Sequence, residues 1–195
     1  MAVSAIILAG GRATRMGGIE KGLVLLQNQP LIAHVIDRLT PQVDEILINA
    51  NRALKQYAVF NLPILQDENP DYIGPLAGFS LGLQHCQHDY LLTVPCDSPL
   101  LPLDLTQRLL HAIKLHNADI AVATSAGNSH PVFSLCKKSV LPSLTNFINQ
   151  GGRKVSTWQK SLNYIEVDFS DNDEAFINLN TLEDLSALEL KLHHA

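Results

Sequence analysis

The stretch AIILAGGRATRMGG at residues 5–18, followed by a lysine at position 21, decides the fold prediction. Its first five residues are apolar, which is typical of a strand buried on both faces of a sheet. The glycines that follow favour a tight turn in which backbone N–H groups approach an anion closely. Arg15 and Lys21 would add charge-assisted hydrogen bonds to phosphate oxygens. The stretch therefore predicts a buried strand that leads into a phosphate-binding loop.

This loop matches neither of two common nucleotide-binding motifs. The P-loop pattern G-x-x-x-x-G-K-[ST] is absent, and so is the dinucleotide pattern G-x-G-x-x-G. A glycine-rich turn without any ligand is the alternative interpretation. Four glycines and three basic residues between positions 10 and 21 argue for phosphate binding, because turn geometry alone needs no such cations.

The rest of the chain alternates short apolar runs with stretches of helical spacing. Predicted strands cover residues 5–9, 45–50, 63–67, 90–95 and 119–124, with helices at 31–39, from the end of a turn at 74–78 to about 85, and at 103–116. Later, residues 130–136, 164–169 and 176–179 are predicted to be extended, and 139–150 and 181–192 helical. This alternation predicts an α/β, three-layer Rossmann-like fold with a mostly parallel central sheet and helices on both faces. No linker interrupts it, so we expect a single domain over residues 1–195.

The composition excludes several classes of protein. Hydrophobic residues make up 46% of the chain and charged residues 17%, which argues against disorder. The net charge of −5 argues against a nucleic-acid partner. No apolar run approaches the ~20 residues that span a bilayer, so no membrane partner is expected. Three sparsely placed cysteines and the lack of a signal-peptide pattern favour a cytoplasmic location.

Polar or glycine residues follow four of the predicted strands. In parallel sheets, ligands bind at the carboxyl ends of the strands. Asn49, at one such end, could read a base edge or hold a ribose, or it could simply form a turn. Asp67 ends the next strand and is equally ambiguous by itself. The turn at residues 74–78 could bring backbone close to a ligand or serve packing only.

The segment Pro95-Cys96-Asp97-Ser98-Pro99 places a carboxylate at another strand end. Mg²⁺ prefers one or two carboxylates together with phosphate oxygens and water. Asp97 is therefore a candidate Mg²⁺ ligand. A carboxylate that caps a turn or a helix is the alternative.

These segments together resemble the molybdenum cofactor guanylyltransferases. The resemblance rests on residues 8–11, 15–18, 21, 49–52, 74–78, 95–97, 168–171 and 175–181, and it therefore covers nearly the whole chain. Glycine at position 10 favours this family over its cytidylyltransferase relatives, which usually carry alanine there. The resemblance implies transfer of GMP from Mg-GTP to molybdopterin, which forms the guanine dinucleotide cofactor and releases pyrophosphate. It also implies that residues 1–100 bind the nucleotide and residues 101–195 the acceptor.

The resemblance also implies roles for individual residues. Arg15, Lys21 and Asp97 would be catalytic, Asp97 would bind Mg²⁺, and Asn178 and Asn180 would bind the acceptor. The nucleotide site would comprise Leu8, Ala9, Gly10, Gly11, Arg15, Gly18, Lys21, Asn49, Asp67, Gly78 and Asp97.

Partners and alternative functions follow from the same resemblance. Molybdoenzyme-maturation proteins would be partners, and the chain would be a monomer or a weak homo-oligomer. A related nucleotidyltransferase that uses CTP or a sugar phosphate is one alternative. A GTP-binding adaptor without turnover is the other.

Overall fold

A computed structural model describes residues 1–10, 20–67, 74–177, 179 and 182–193, and it contains a central sheet with helices on both faces. The strands are β1 (Ser4–Leu8), β2 (Leu25–Leu26), β3 (Gln29–Pro30), β4 (Glu45–Asn49), β5 (Ile64–Leu65), β6 (Tyr90–Pro95), β7 (Ile120–Ser125), β8 (Asn128–Lys137) and β9 (Tyr164–Asp168). The α-helices are α1 (Leu31–Leu39), α2 (Leu54–Tyr57), α3 (Pro75–His85), α4 (Leu105–His116), α5 (Leu141–Asn149), α6 (Val155–Gln159) and α7 (Leu182–His193). Short 3₁₀ helices span Lys21–Leu23, Ala58–Phe60, Lys138–Val140 and Ser170–Phe176.

The central sheet has the strand order β5-β4-β1-β6-β8-β7-β9. Every neighbouring pair is parallel except the two that involve β8, which runs antiparallel to β6 and β7. The chain proceeds outward from β1 to β4 and β5, and then returns to place β6 on the other side of β1. The strand order thus reverses around β1, and ligands of such sheets bind at this reversal, outside the carboxyl ends of the strands.

Two apolar cores, one on each face of the sheet, create the three layers. Helices α1, α2 and α4 pack on one face, which includes Ile7 of β1. Helices α3, α5 and α6 pack on the other, which includes Ile6. Both isoleucines are fully buried, as expected for a parallel strand that is covered on both sides. The predicted three-layer α/β fold is confirmed.

Five parts of the chain differ from the sequence-based expectation. The strand predicted at 63–67 is reduced to the two residues of β5, at one edge of the sheet. The strand predicted at 176–179 is wrong for the residues that the structure describes there, because Phe176 ends a 3₁₀ helix. Its apolar character instead reflects packing of the Phe176 ring against Phe133 and Phe169. Helices α2 and α6 and the β2–β3 hairpin were not predicted. Across the described ranges, no helix is both long and apolar enough to cross a membrane.

Candidate active site

Two asparagines hold the carboxylate of Asp67 at the carboxyl ends of β4 and β5. Asn49 Nδ2 donates to Asp67 Oδ1 at 2.9 Å, and to the carbonyl oxygen of Leu65 at 3.3 Å. Asn51 Nδ2 donates to Asp67 Oδ2 at 2.7 Å. The Asp67 N–H donates back to Asn51 Oδ1 at 2.8 Å. We call Asn49, Asn51 and Asp67 the strand-end cluster; Asn49 is buried, whereas Asp67 is partly open to solvent.

The strand-end cluster occupies space that side chains at two neighbouring positions would fill, and both positions are glycines. A Cβ atom on Gly10 would lie 3.0 Å from Asn49 Oδ1 and 3.1 Å from Asn51 Nδ2. A Cβ on Gly78, in the second turn of α3, would lie 2.8 Å from Asn49 Oδ1 and 2.3 Å from Leu8 Cδ2. The distances at Gly78 are too short for a real side chain unless its neighbours shift, whereas a side chain at Gly10 would require Asn49 and Asn51 to move by a few tenths of an ångström. Backbone from β1 and α3 thereby approaches Asn49 closely.

Lys21 and Asp97 form an ion pair on the other side of β1. Lys21 begins the 3₁₀ helix after the glycine loop, and its Nζ lies 3.2 Å from Asp97 Oδ2. Asp97 follows β6 and is only 8% exposed. The Leu179 N–H donates to the Asp97 carbonyl oxygen at 3.4 Å, which ties the Asp97 backbone to the C-terminal segment. A buried carboxylate and an ammonium group thus lie together at the carboxyl end of β6.

The residues around this ion pair are closely packed. A Cβ on the buried Gly22 would lie 3.0 Å from the Tyr57 hydroxyl, 3.1 Å from Cys96 Cβ and 3.2 Å from Cys96 Sγ. Burial, reinforced by the charge of Asp97, raises the pKa of the Cys96 thiol, so Cys96 is a protonated packing residue. Burial also raises the pKa of Glu20, against the lowering effect of Arg52.

An aromatic cluster surrounds His130, which pairs with Ala123 near the carboxyl end of β7. The His130 ring stacks on Phe176, with centroids 4.5 Å apart and planes 14° apart. Its Nε2 lies 2.9 Å from Ser125 Oγ. Burial lowers the pKa of His130, and Asp173 opposes this effect. A neutral ring is therefore favoured near pH 7, and it fixes Phe176, which precedes Leu179 by three residues. No sequence motif had singled out this cluster.

A serine, a histidine and a glutamate meet at the amino ends of β1 and β4, at the end of the sheet opposite the candidate site. Ser4 Oγ lies 2.5 Å from Glu45 Oε2 and 2.9 Å from His88 Nδ1. Ser4 is fully buried, so its hydroxyl cannot reach a substrate. This trio stabilises the start of β1, and it does not support a hydrolase.

The structure brings the described candidate residues together at the carboxyl ends of the parallel strands. Leu8, Ala9, Gly10, Asn49, Asp67 and Gly78 lie around the strand-end cluster, and Lys21 and Asp97 lie at the ion pair. Gly11, Arg15, Gly18, Asn178 and Asn180 lie outside the described residues. Sequence reasoning left Asn51 and Gly22 without assigned roles. Asn51 follows a strand end, which is the signal that could have assigned it.

Comparisons with known proteins identify the family of this chain. Residues 5–163 match the MobA-like NTP transferase domain family. The chain is 50% identical over 182 residues to a molybdenum cofactor guanylyltransferase from Shewanella putrefaciens, with 93% of each chain covered. It is 48% identical over 192 residues to the enzyme of the same name from Shewanella loihica, with 98% of each chain covered.

A solved structure extends the comparison to the fold. Molybdopterin-guanine dinucleotide biosynthesis protein A from Archaeoglobus fulgidus superimposes with a TM-score of 0.82 at 21% identity, covering 98% of this chain and all of that one. This likeness supports the fold, and the sequence matches establish the relationship. The chain therefore belongs to the MobA-like NTP transferase family and, within it, to the molybdenum cofactor guanylyltransferases.

Proposed function

We propose that this protein transfers GMP from GTP to molybdopterin. An oxygen of the acceptor's terminal phosphate forms a bond to the α-phosphorus of GTP, the bond between that phosphorus and the bridging oxygen breaks, and pyrophosphate leaves. The observation that carries the proposal is the arrangement of the Lys21–Asp97 ion pair and the strand-end cluster on opposite sides of β1. One side suits a nucleoside and the other suits a charged phosphate chain.

The nucleoside would bind at the strand-end cluster. Asn49 and Asp67 offer acceptor atoms for the donors of a guanine edge or a ribose. Gly10 and Gly78 let backbone approach the nucleotide, together with Leu8 and Ala9. Gly11 and Gly18 would complete the nucleotide site, as the family resemblance implies.

Catalysis would rest on positioning and charge neutralisation. The acceptor phosphate is already ionised near neutral pH, so the reaction requires no general base. Lys21, and Arg15 by resemblance, would stabilise charge on the transferring phosphoryl group and on the departing pyrophosphate. Asn178 and Asn180 would hold the acceptor, and their neighbour Leu179 is tied to the backbone of Asp97. We assign residues 1–100 to the nucleotide and 101–195 to the acceptor.

Asp97 suits a magnesium ion that is shared with the substrate. The described ranges contain no group of three or more His, Cys, Asp or Glu side chains that could surround a metal. A single buried carboxylate beside a phosphate site fits Mg²⁺, which keeps waters and substrate oxygens as its other ligands. When bound at Asp97, Mg²⁺ would supply electrostatic stabilisation of the phosphate oxygens.

Nucleotide selectivity tests the proposal directly. Thermal unfolding is measured with each of the four nucleoside triphosphates and Mg²⁺. At about 100 times its Kd, GTP should add about 2.7 kcal/mol to the unfolding free energy, which is a rise of roughly 5–11 °C for a chain of this size. The other three should stabilise much less. A larger rise with CTP would instead indicate a cytidylyltransferase.

Turnover distinguishes an enzyme from a binding protein. Incubation of the protein with Mg-GTP and molybdopterin should release pyrophosphate and form the guanine dinucleotide. Omission of molybdopterin is the control. Binding of GTP without any pyrophosphate release would favour a GTP-binding adaptor.

A further inference from the structure

Asn51 is an exposed residue, yet both ends of its side-chain amide bond to Asp67. Its Oδ1 accepts from the Asp67 N–H, and its Nδ2 donates to the Asp67 carboxylate. Asn51 Nδ2 also lies 3.5 Å from the carbonyl oxygen of Gly10. The side chain thus connects the carboxyl ends of three strands, β1, β4 and β5.

The backbone of β5 alone holds Asp67 weakly. β5 is an edge strand of two residues, and its ladder to β4 ends with the bond from the Ala50 N–H to the Leu65 carbonyl oxygen. Asp67 lies two residues beyond that point. The Asn51 amide takes the place of a further ladder pair, because it offers Asp67 both an acceptor and a donor as backbone would.

We propose that Asn51 is a positioning residue for the nucleoside site and acts through Asp67 without touching the nucleotide. This inference rests on the proposed function, in which Asp67 contacts the nucleoside. The hydrogen bond to Asn51 Nδ2 engages one carboxylate oxygen, and the bond to Asn49 Nδ2 engages the other. The carboxylate plane and the rotamer of Asp67 are thereby fixed before the nucleotide binds, so ligand affinity loses less to ordering.

The same arrangement orients the Asn49 amide. Its Nδ2 faces Asp67 and Leu65, so Oδ1 lies beside Gly10 and Gly78. Loss of Asn51 would let Asp67 turn away, and Asn49 Nδ2 would then lose its charged acceptor. Asn51 therefore stabilises an arrangement that presents acceptor atoms to a ligand rich in donors.

A double-mutant cycle between Asn51 and Asp67 tests this role. The Kd of GTP is measured by titration calorimetry for wild type, Asn51→Ala, Asp67→Ala and the double variant. Asn51→Ala should raise the Kd about tenfold, equivalent to about 1.4 kcal/mol, and leave kcat at saturating GTP nearly unchanged. In the Asp67→Ala background the same change should add less than about twofold, because its only route to the ligand is already gone.

Two further variants separate positioning from a general loss of structure. Asn51→Asp should weaken GTP binding more than Asn51→Ala, because it places a second carboxylate against Asp67. Asn146→Ala removes an exposed asparagine from α5, away from the strand-end cluster, and should leave both the Kd and the melting temperature unchanged. Asn51→Ala loses two hydrogen bonds at an exposed position and should melt only a few degrees below this control.

Specific outcomes would overturn the inference. Effects of Asn51→Ala and Asp67→Ala that multiply would mean that Asn51 binds the nucleotide independently. An unchanged Kd in Asn51→Ala would mean that it positions nothing. If wild type prefers another nucleotide, the proposed function fails, and the cycle is run with that nucleotide, with the same non-additivity expected. A wild type that binds none of the four nucleotides overturns both proposals.

Discussion

Gly22→Ala is expected to reduce activity by displacing both members of the Lys21–Asp97 ion pair. The new Cβ would lie 3.0 Å from the Tyr57 hydroxyl, 3.1 Å from Cys96 Cβ and 3.2 Å from Cys96 Sγ, so these neighbours must move by a few tenths of an ångström. Gly22 directly follows Lys21 in the chain, and Cys96 directly precedes Asp97. The strain therefore passes along the main chain to both charged residues.

The magnitude follows from these contacts. Overpacking a well-packed core typically costs ~1–3 kcal/mol, which lowers the melting temperature of a chain of this size by roughly 2–12 °C. A misplacement of about 1 Å at a reacting centre can cost about 100-fold in rate, so a few tenths of an ångström should cost roughly 4–10-fold in kcat. Thermal unfolding and pyrophosphate release from GTP and molybdopterin measure the two effects.

A second substitution tests how much of the loss in Gly22→Ala comes from the clash with the Tyr57 hydroxyl. Within the described part of the chain, this buried hydroxyl has no hydrogen-bond partner, so Tyr57→Phe alone should not destabilise the protein. In the double variant Gly22→Ala/Tyr57→Phe, the nearest clashing atom is gone but both Cys96 contacts remain, so the melting temperature and kcat should recover in part. A double variant as impaired as Gly22→Ala alone, or a Gly22→Ala variant that behaves as wild type, would refute this reasoning.

Three further predictions concern the other parts of the site. Asp97→Asn should lower kcat by about 10²–10³-fold, as removal of one electrostatic contact to a transition state does. The melting temperature should change little. Equal losses of activity and stability would contradict a role of Asp97 in phosphate chemistry. Gly78→Ala, whose Cβ would lie 2.8 Å from Asn49 Oδ1, should raise the KM for GTP, and steady-state kinetics with an unchanged KM would exclude the proposed contact. Because burial lowers the pKa of His130, its contribution to stability should be complete above about pH 6.5 and should be lost as the pH falls through the folded-state pKa. Urea unfolding across this range should show a smaller acid dependence in His130→Gln than in wild type.

The sequence predicted the sheet and the polar residues at the carboxyl ends of its strands because both depend on local patterns. Apolar runs identified the strands, and parallel strands bring their carboxyl ends to one edge, which placed Asn49, Asp67 and Asp97 together in advance. Contacts between distant segments were not predictable. Gly22 is constrained by Tyr57 and Cys96, which belong to other elements, and no spacing in the sequence reveals that.

The segment around Phe176 shows the same limit of sequence-based prediction. Residues 176–179 have the apolar character of a strand, yet the Phe176 ring is held by the stack on His130 and by neighbouring phenylalanines. Tertiary packing therefore overrode the local pattern. Asn51 could not be assigned a role from the sequence, because its reciprocal bonds with Asp67 depend on how β5 ends.

The two halves of the candidate site are held at a fixed separation by β1. The Ala9 N–H donates to the Asn49 carbonyl oxygen, and the Cys96 N–H donates to the Leu8 carbonyl oxygen. Main-chain bonds thus join β4 to β1 and β1 to β6 right up to the site, and two strand spacings amount to roughly 10 Å. Side chains cannot adjust this span, because the strands are buried on both faces. Selectivity for the nucleotide must then depend on the residues of the strand-end cluster and of the Lys21–Asp97 ion pair. Side chains at three neighbouring positions would distort these two groups, and all three positions are glycines: Gly10, Gly22 and Gly78.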